Sequence, residues 1–421
     1  MNKKSLFWPV LFFLAPFLPY LNPAYDLDLS SLRIILVLAE LVIFLLILRQ
    51  KKYRNWQLSA TSFLLFVFLF WSLVSLSWAP NLFWGARKLI LWINFFLLVF
   101  LAPAWFIGGR LFGLKLSKAV AWSGAVASLV GLGQFGAQWI LPPEKVFSFL
   151  VQNISPIFTG ASLSGLVTDF PSWFFEFNGT TLMRAVSVFP DPHMLGFFLG
   201  MATFLSWGIF MVTKEKKYLV IEVLLLAGLV LTFSRGAYLG LLAALVVVVP
   251  ASFSRVDFRF KKMMVGVVTL AFLVLLFFGG PVISRLSSSF DAAEGSNQGR
   301  IAIWTEALGL SGEKIFIGHG LGSYSALVAP ATEYRSPISA HNLYLEILVE
   351  LGLVGLTTFL LLMVVVFWRG WRRQKTDPLF LGVIGALVFF LAHSFFEVSV
   401  YNPIILLVFC LLLILPDFSE S

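Results

Sequence analysis

The chain has 421 residues, 59% of them hydrophobic and 12% charged, with 30 Lys and Arg against 21 Asp and Glu for a formal net charge of +9. So large an apolar excess excludes a water-soluble enzyme of this length and indicates a polytopic membrane protein. The basic balance is therefore read first as membrane topology, not as nucleic-acid binding. A single cysteine, Cys410, inside an apolar run excludes a disulfide framework within the chain and a cysteine-rich metal site.

Apolar stretches long enough to cross about 30 Å of hydrocarbon fall at 5–21, 31–48, 58–78, 87–107, 119–140, 193–213, 218–233, 236–251, 263–281, 342–367, 379–395 and 402–416. The expected fold class is all-α, a transmembrane helical bundle of about twelve spans. Lys3-Lys4 and the apolar run to Tyr20 lack a small-x-small cleavage site, so this stretch is read as the first helix. The expected organisation is N-terminal helices over 1–140, a first long external loop over 141–192, central helices over 193–281, a second long external loop over 282–341 carrying site residues, and C-terminal helices over 342–421.

With a cytoplasmic N-terminus, the inside connections hold Arg49 to Arg54, Arg110 to Lys118, Lys214 to Lys217, Arg255 to Lys262 and Arg369 to Lys375. About 20 of the 30 Lys and Arg then lie inside, which is the positive-inside bias. All four histidines, His193, His319, His341 and His393, fall at or near the outer face in that orientation, as does Arg235. No nucleotide is available there, so a group transfer on that side needs an already activated donor.

In the first outer loop, Arg184 precedes Pro190-Asp191-Pro192-His193, whose prolines prevent helix and fix the entry to the next span. Arg235 follows Thr232 and Ser234 in a turn between two apolar helices. A guanidinium there suits fork-like binding of phosphate; the bland alternative is a lipid-headgroup anchor. In the second loop, apolar spacing at Ile301, Trp304 and Leu308 predicts an amphipathic helix with Arg300 in its first turn. Gly318-His319-Gly320-Leu321-Gly322 is either a plain turn or a backbone cradle for phosphate oxygen. Ser339 to Gly355 places His341, Asn342, Glu346 and Glu350 at the mouth of a long apolar helix. Ionisable groups at membrane depth cost about 2.5–3.5 kcal/mol and are usually tied to a partner or a task. Asn342 is a candidate helix cap. Spacing alone leaves His341 open between an interfacial histidine bonded to loop backbone and a catalytic group.

Five elements in order carry a resemblance: Arg-x-x-Ser-x-Phe-x-x-Pro (Arg184 to Pro192), Thr-Phe-Ser-Arg-Gly-Ala-Tyr (Thr232 to Tyr238), Gly-Arg-x-x-x-Trp (Gly299 to Trp304), Gly-His-Gly-x-Gly (Gly318 to Gly322) and His-Asn-x-Tyr-Leu-x-x-Leu-x-Glu-x-Gly-x-x-Gly (His341 to Gly355). Together they resemble the O-antigen ligase and polymerase superfamily of bacterial envelope glycosyltransferases. The resemblance implies an inner-membrane enzyme with cytoplasmic termini. It would move a glycan from a polyprenyl-pyrophosphate lipid to a hydroxyl acceptor on the outer face: lipid A-core, another lipid-linked glycan, or a protein Ser or Thr. By resemblance His341 is the catalytic base, and Arg235 and Arg300 hold the pyrophosphate leaving group. Arg184, His319 and Asn342 are assigned to substrate binding, and no metal or other cofactor is implied, because arginines carry the leaving-group charge. Asp191-Pro192-His193 departs from the Pro-Asn usual before the following span, and His193 inherits no role. A lipid-linked oligosaccharide transporter would share the spans and intramembrane arginines, but would not need His and Arg clustered on one face.

Overall fold

The structure, a computed structural model, describes residues 6–24, 27–51, 58–105, 109–169, 172–253, 295–330 and 338–417. In chain order these form α1 (Phe7–Leu14), a hairpin of β1 (Tyr20–Ala24) and β2 (Leu27–Ser30), α2 (Ser31–Arg49), α3 (Ala60–Ser75), α4 (Leu82–Trp105) and α5 (Gly109–Ala137). Next come α6 (Pro143–Phe149), α7 (Ser155–Thr159) and α8 (Ala161–Asp169), then a hairpin of β3 (Phe174–Phe177) and β4 (Thr180–Met183). The central helices are α9 (Pro192–Thr213), α10 (Lys217–Leu231) and α11 (Arg235–Phe253). Beyond them lie α12 (Gly295–Glu313), α13 (Ser323–Val328), α14 (Leu343–Arg373), α15 (Leu379–His393) and α16 (Pro403–Ile414).

Seven of these helices are long and apolar enough to cross a membrane, and Phe7–Phe17, Leu379–His393 and Pro403–Asp417 are shorter apolar helices. The protein is an all-α polytopic bundle. Helices fall within eleven of the twelve expected spans, but only seven are long enough to cross, and 5–21 holds a short helix that gives way to β1 at Tyr20; 263–281 lies outside the described residues. The outer face of α2 leaves Val37, Leu38, Leu41, Val42 and Leu45 exposed, as suits a helix in hydrocarbon. Asn178-Gly179 turns the second hairpin with φ of 49° and 74°, the left-handed pair that a two-residue turn of this kind needs.

Three details differ from the sequence reading. Pro192 is the first residue of α9, where its missing N–H costs nothing, and Asp191 caps the helix by accepting from His193 N and Met194 N at 2.7 and 2.9 Å. The helix after Gly295 starts earlier than expected, so Arg300 sits in its second turn. The span expected as continuous over 342–367 is interrupted: Gly352 has φ 65° and ψ −167°, a conformation essentially reserved for glycine.

The chain divides into two compact units: Met1–Leu32, Leu111–Asp291 and Gly370–His393 form the first, and Arg33–Arg110, Ala292–Arg369 and Ser394–Ser421 the second. In the first, α9 packs on α15 through glycines. A Cβ on Gly208 would stand 2.6 Å from the Leu379 carbonyl oxygen and 3.0 Å from Gly382 Cα, so only bare backbone permits this approach. In the second, α4 packs between α3 and α16: Phe68 meets Trp92 at 5.4 Å between ring centroids, and Cys410 Sγ lies 3.4 Å from the Phe95 carbonyl oxygen. Cys410 is a buried packing residue.

Candidate functional site

In the first unit, the turn that leads into Arg235 is held by backbone carbonyls, the Arg184 guanidinium and Ser234 between two imidazoles. The break between α10 and α11 needs Phe233 at φ 47°, and the ring of Phe175 covers it at 4.2 Å. Arg184, buried, donates from Nε to Thr232 O at 2.7 Å, from Nη1 to Ser172 O at 2.9 Å and from Nη2 to Phe233 O at 3.4 Å. Its guanidinium thus takes up carbonyls that the end of α10 leaves without helical partners. Ser187, at φ 56°, is fixed by Gln134, whose Oε1 accepts from Ser187 N at 2.6 Å and whose Nε2 donates to Ser187 O at 2.7 Å. The Arg-x-x-Ser element is therefore what holds the long connection before α9 to the turn.

Ser234 stands between two histidines: its Oγ is 2.9 Å from His193 Nδ1 and 3.4 Å from His393 Nε2. Phe197 stacks on the His393 ring at 3.6 Å and 9°. Arg235, 4% exposed, opens α11 directly after this chain of contacts.

The second unit gathers charge. His341, in a left-handed conformation at φ 46°, stands just before α14, and Asn342 caps that helix by accepting from Tyr344 N and Leu345 N at 3.0 and 3.1 Å. His341 Nδ1 is 3.0 Å from Glu397 Oε1; the imidazole side chain is 35% exposed and the carboxylate 10%. Leu343 N donates to Ser394 O at 2.9 Å, which ties the segment bearing Glu397 to the mouth of α14. The Glu397 charge raises the His341 pKa above its ordinary value, against the opposing effect of burial, and the nearby Arg300 pushes slightly the other way. For Glu397, burial pushes its pKa up, but the charge and hydrogen bond of His341, with Arg300, outweigh it and hold the carboxyl below the usual range. Arg300, His341 and Glu397 are thus one electrostatic group. With Nδ1–H donated to a carboxylate, the lone pair of neutral His341 sits on Nε2, which has no hydrogen-bond partner among the described residues.

The glycine-rich turn has the plain-turn geometry. Gly318, Gly320 and Gly322 have φ of 69°, 99° and 75°, and the N–H groups of His319 and Gly320 donate to Val349 O and Glu350 O at 2.8 Å each. Those two carbonyls lose their helical partners at the Gly352 break, so the turn satisfies them. Trp71 Nε1 likewise donates to Leu351 O at 2.9 Å, and Leu321 N donates to Ser75 Oγ at 3.1 Å. The His319 ring is buried, with Nε2 2.9 Å from Leu310 O. Trp304 of the Gly-Arg-x-x-x-Trp element donates from Nε1 to Ala340 O at 3.1 Å, linking the helix of Arg300 to the residue before His341.

Of the residues expected at a site, the second unit brings Arg300, His341 and Asn342 together and the first places Arg184 beside Arg235. Sequence reasoning missed Glu397, Lys88 and Tyr401, and had Trp304 only as a motif residue on an apolar helix face. Glu397 and Tyr401 lie in a short polar connection between two spans, where a lone acid carries no motif.

Residues 220–360 match the family model described as O-antigen ligase. About a third of the chain is therefore similar to the O-antigen ligase family, within a multi-pass membrane protein. It is also 25% identical over 287 residues to the "Putative polysaccharide ligase" of Rickettsia conorii, a match covering 62% of this chain and 64% of that protein, just under two thirds of the relative's length. Four of the five sequence elements fall inside the matched segment. Lys88, Glu397 and Tyr401 fall outside it.

Proposed function

We propose that the protein is a ligase-type glycan transferase of the cytoplasmic membrane, moving a glycan from a polyprenyl-pyrophosphate lipid to a hydroxyl acceptor on the outer face. The acceptor oxygen attacks the anomeric carbon, the bond from that carbon to the pyrophosphate oxygen breaks, and the acceptor proton passes to His341 Nε2. Glu397 fixes the tautomer and stabilises the imidazolium that forms. Arg300, beside the base, neutralises charge that develops on the departing pyrophosphate, a role that calls for no metal; Arg235 is proposed separately as a phosphate ligand. Arg184 braces the Arg235 turn, His319 braces the broken helix, and Asn342 caps the helix behind the base.

The observation that carries this reading is the His341–Glu397 pair with Nε2 turned away from its partner and Arg300 within its field. A partly exposed, acid-paired imidazole is suited to proton transfer. The family match and the name of the relative favour ligation over polymerisation. The test is purified protein in liposomes, supplied with lipid-linked glycan and with each acceptor class in turn: lipid A-core, a second lipid-linked glycan, or a Ser/Thr protein. Transfer to lipid A-core or another non-glycan hydroxyl supports the ligase. Chain extension alone makes the protein a polymerase, and no transfer to any acceptor counts against an enzyme. A reporter fused near Ser325 should read external; a cytoplasmic reading would remove the activated-donor argument.

A further inference from the structure

Resting on the reading of His341 as the base, we propose that Lys88 is a positioning residue that holds the His341 backbone through Glu346. Lys88 lies on α4 and is 4% exposed, with Nζ 3.1 Å from Glu346 Oε1 and 2.6 Å from Glu350 Oε2. The two glutamates are one turn apart on α14 and both buried. The Tyr401 hydroxyl donates to Glu346 Oε1, and its ring lies 4.5 Å from Lys88 Nζ. The other oxygen of Glu346 accepts from Ala340 N at 3.3 Å. Ala340 O in turn accepts from Trp304, so the residue before His341 is held at both its N–H and its carbonyl.

That clamp has a purpose at this position. A non-glycine residue in the left-handed region is disfavoured by contact of its Cβ with backbone, and His341 is such a residue, with φ 46°. Its backbone returns to an ordinary conformation unless its neighbours forbid it. Glu346 is the neighbour that does so from below, and its carboxylate stays aimed at Ala340 only while Lys88 offsets the repulsion of Glu350. Without the ammonium, two buried carboxylates one turn apart repel; Glu346 turns away, and the acceptor under Ala340 is lost. A buried ion pair is by itself a weak source of stability, so a charged triad beneath the base is better explained by the geometry it imposes.

The experiment uses the full-length protein in liposomes with lipid-linked glycan and a fixed acceptor, comparing Lys88→Met, His341→Ala and the double variant. Lys88→Met should insert, bind donor and leave the acceptor KM little changed, while kcat falls about 10- to 100-fold, as expected for a displaced catalytic group. The double variant should be no slower than His341→Ala, because both act through one group. Wild-type turnover of Lys88→Met, or losses that multiply in the double variant, would overturn the proposal and leave His341 as the base. Wild-type turnover of His341→Ala would instead remove the base reading itself. Should Lys88→Met fail to insert, Glu346→Gln decides by the same cycle: a smaller loss absorbed by His341→Ala supports the proposal, and an unchanged or multiplying loss overturns it.

Discussion

The turn that carries Arg235 and the helix mouth that carries His341 both present polar groups beside apolar helices, and they satisfy those groups in opposite ways. The turn before Arg235 is held by Arg184, spent on three backbone oxygens, and by Ser234 between two histidines. Around His341 the partners are full charges: Glu397 on the ring, and Lys88 with Glu346 and Glu350 beneath the backbone. Backbone carbonyls and a hydroxyl give a turn shaped by the chain itself, fitted to presenting a cation that never titrates. Charged partners give a site whose protonation is set by its neighbours, fitted to moving a proton.

The largest test of that contrast is His341→Ala, which should lower transfer about 10²- to 10⁴-fold with donor binding retained, since general-base catalysis contributes on that scale. Transfer within a few-fold of wild type would leave the charged cluster without a catalytic role. Next come Arg235→Lys and Arg300→Lys. An ammonium cannot reproduce the fork, so each should lose about tenfold or more in turnover, corresponding to one charged hydrogen bond of about 1.5–3 kcal/mol. Full rates in both would make these positions headgroup anchors.

Much of this was legible beforehand because apolar length, basic loops and short motifs are local signals. Arg300, His341 and Asn342 were found as a group since they sit on motif elements, and the cap geometry of Asn342 follows from its place before an apolar run. The Gly352 break was not foreseen: an isolated glycine in an apolar helix reads as a packing residue until the partners that satisfy the freed carbonyls, here His319 and Gly320, are brought alongside from a distant loop. Glu397 and Lys88 were hidden for the same reason. Each is one charged residue in an unremarkable span or connection, and its partner lies 56 or 258 residues away.

A smaller effect belongs to that break. Gly352→Ala should lower thermal stability by about 1–3 kcal/mol, because alanine neither adopts this backbone conformation nor fits against the Phe316 carbonyl. An unchanged melting curve would mean that the helix is continuous.

The central claim, that a Glu397-paired His341 moves the proton, is tested most directly by the pH dependence of transfer in wild type and Glu397→Gln. The raised His341 pKa places the acid limb of the rate profile above the ordinary 6.5, with rate rising as the imidazole loses its proton. Stability runs in the matching sense: the contribution of His341 is full below 6.5 and lost as pH rises through its folded value, while that of Glu397 is present above 4.5 and lost as pH falls through its depressed one. Glu397→Gln keeps the shape and removes the charge. The acid limb should therefore move to lower pH, and the losses of stability above 6.5 and below 4.5 should both shrink, with a modest loss of maximal rate. A limb that stays in place when Glu397 is neutralised would contradict the account.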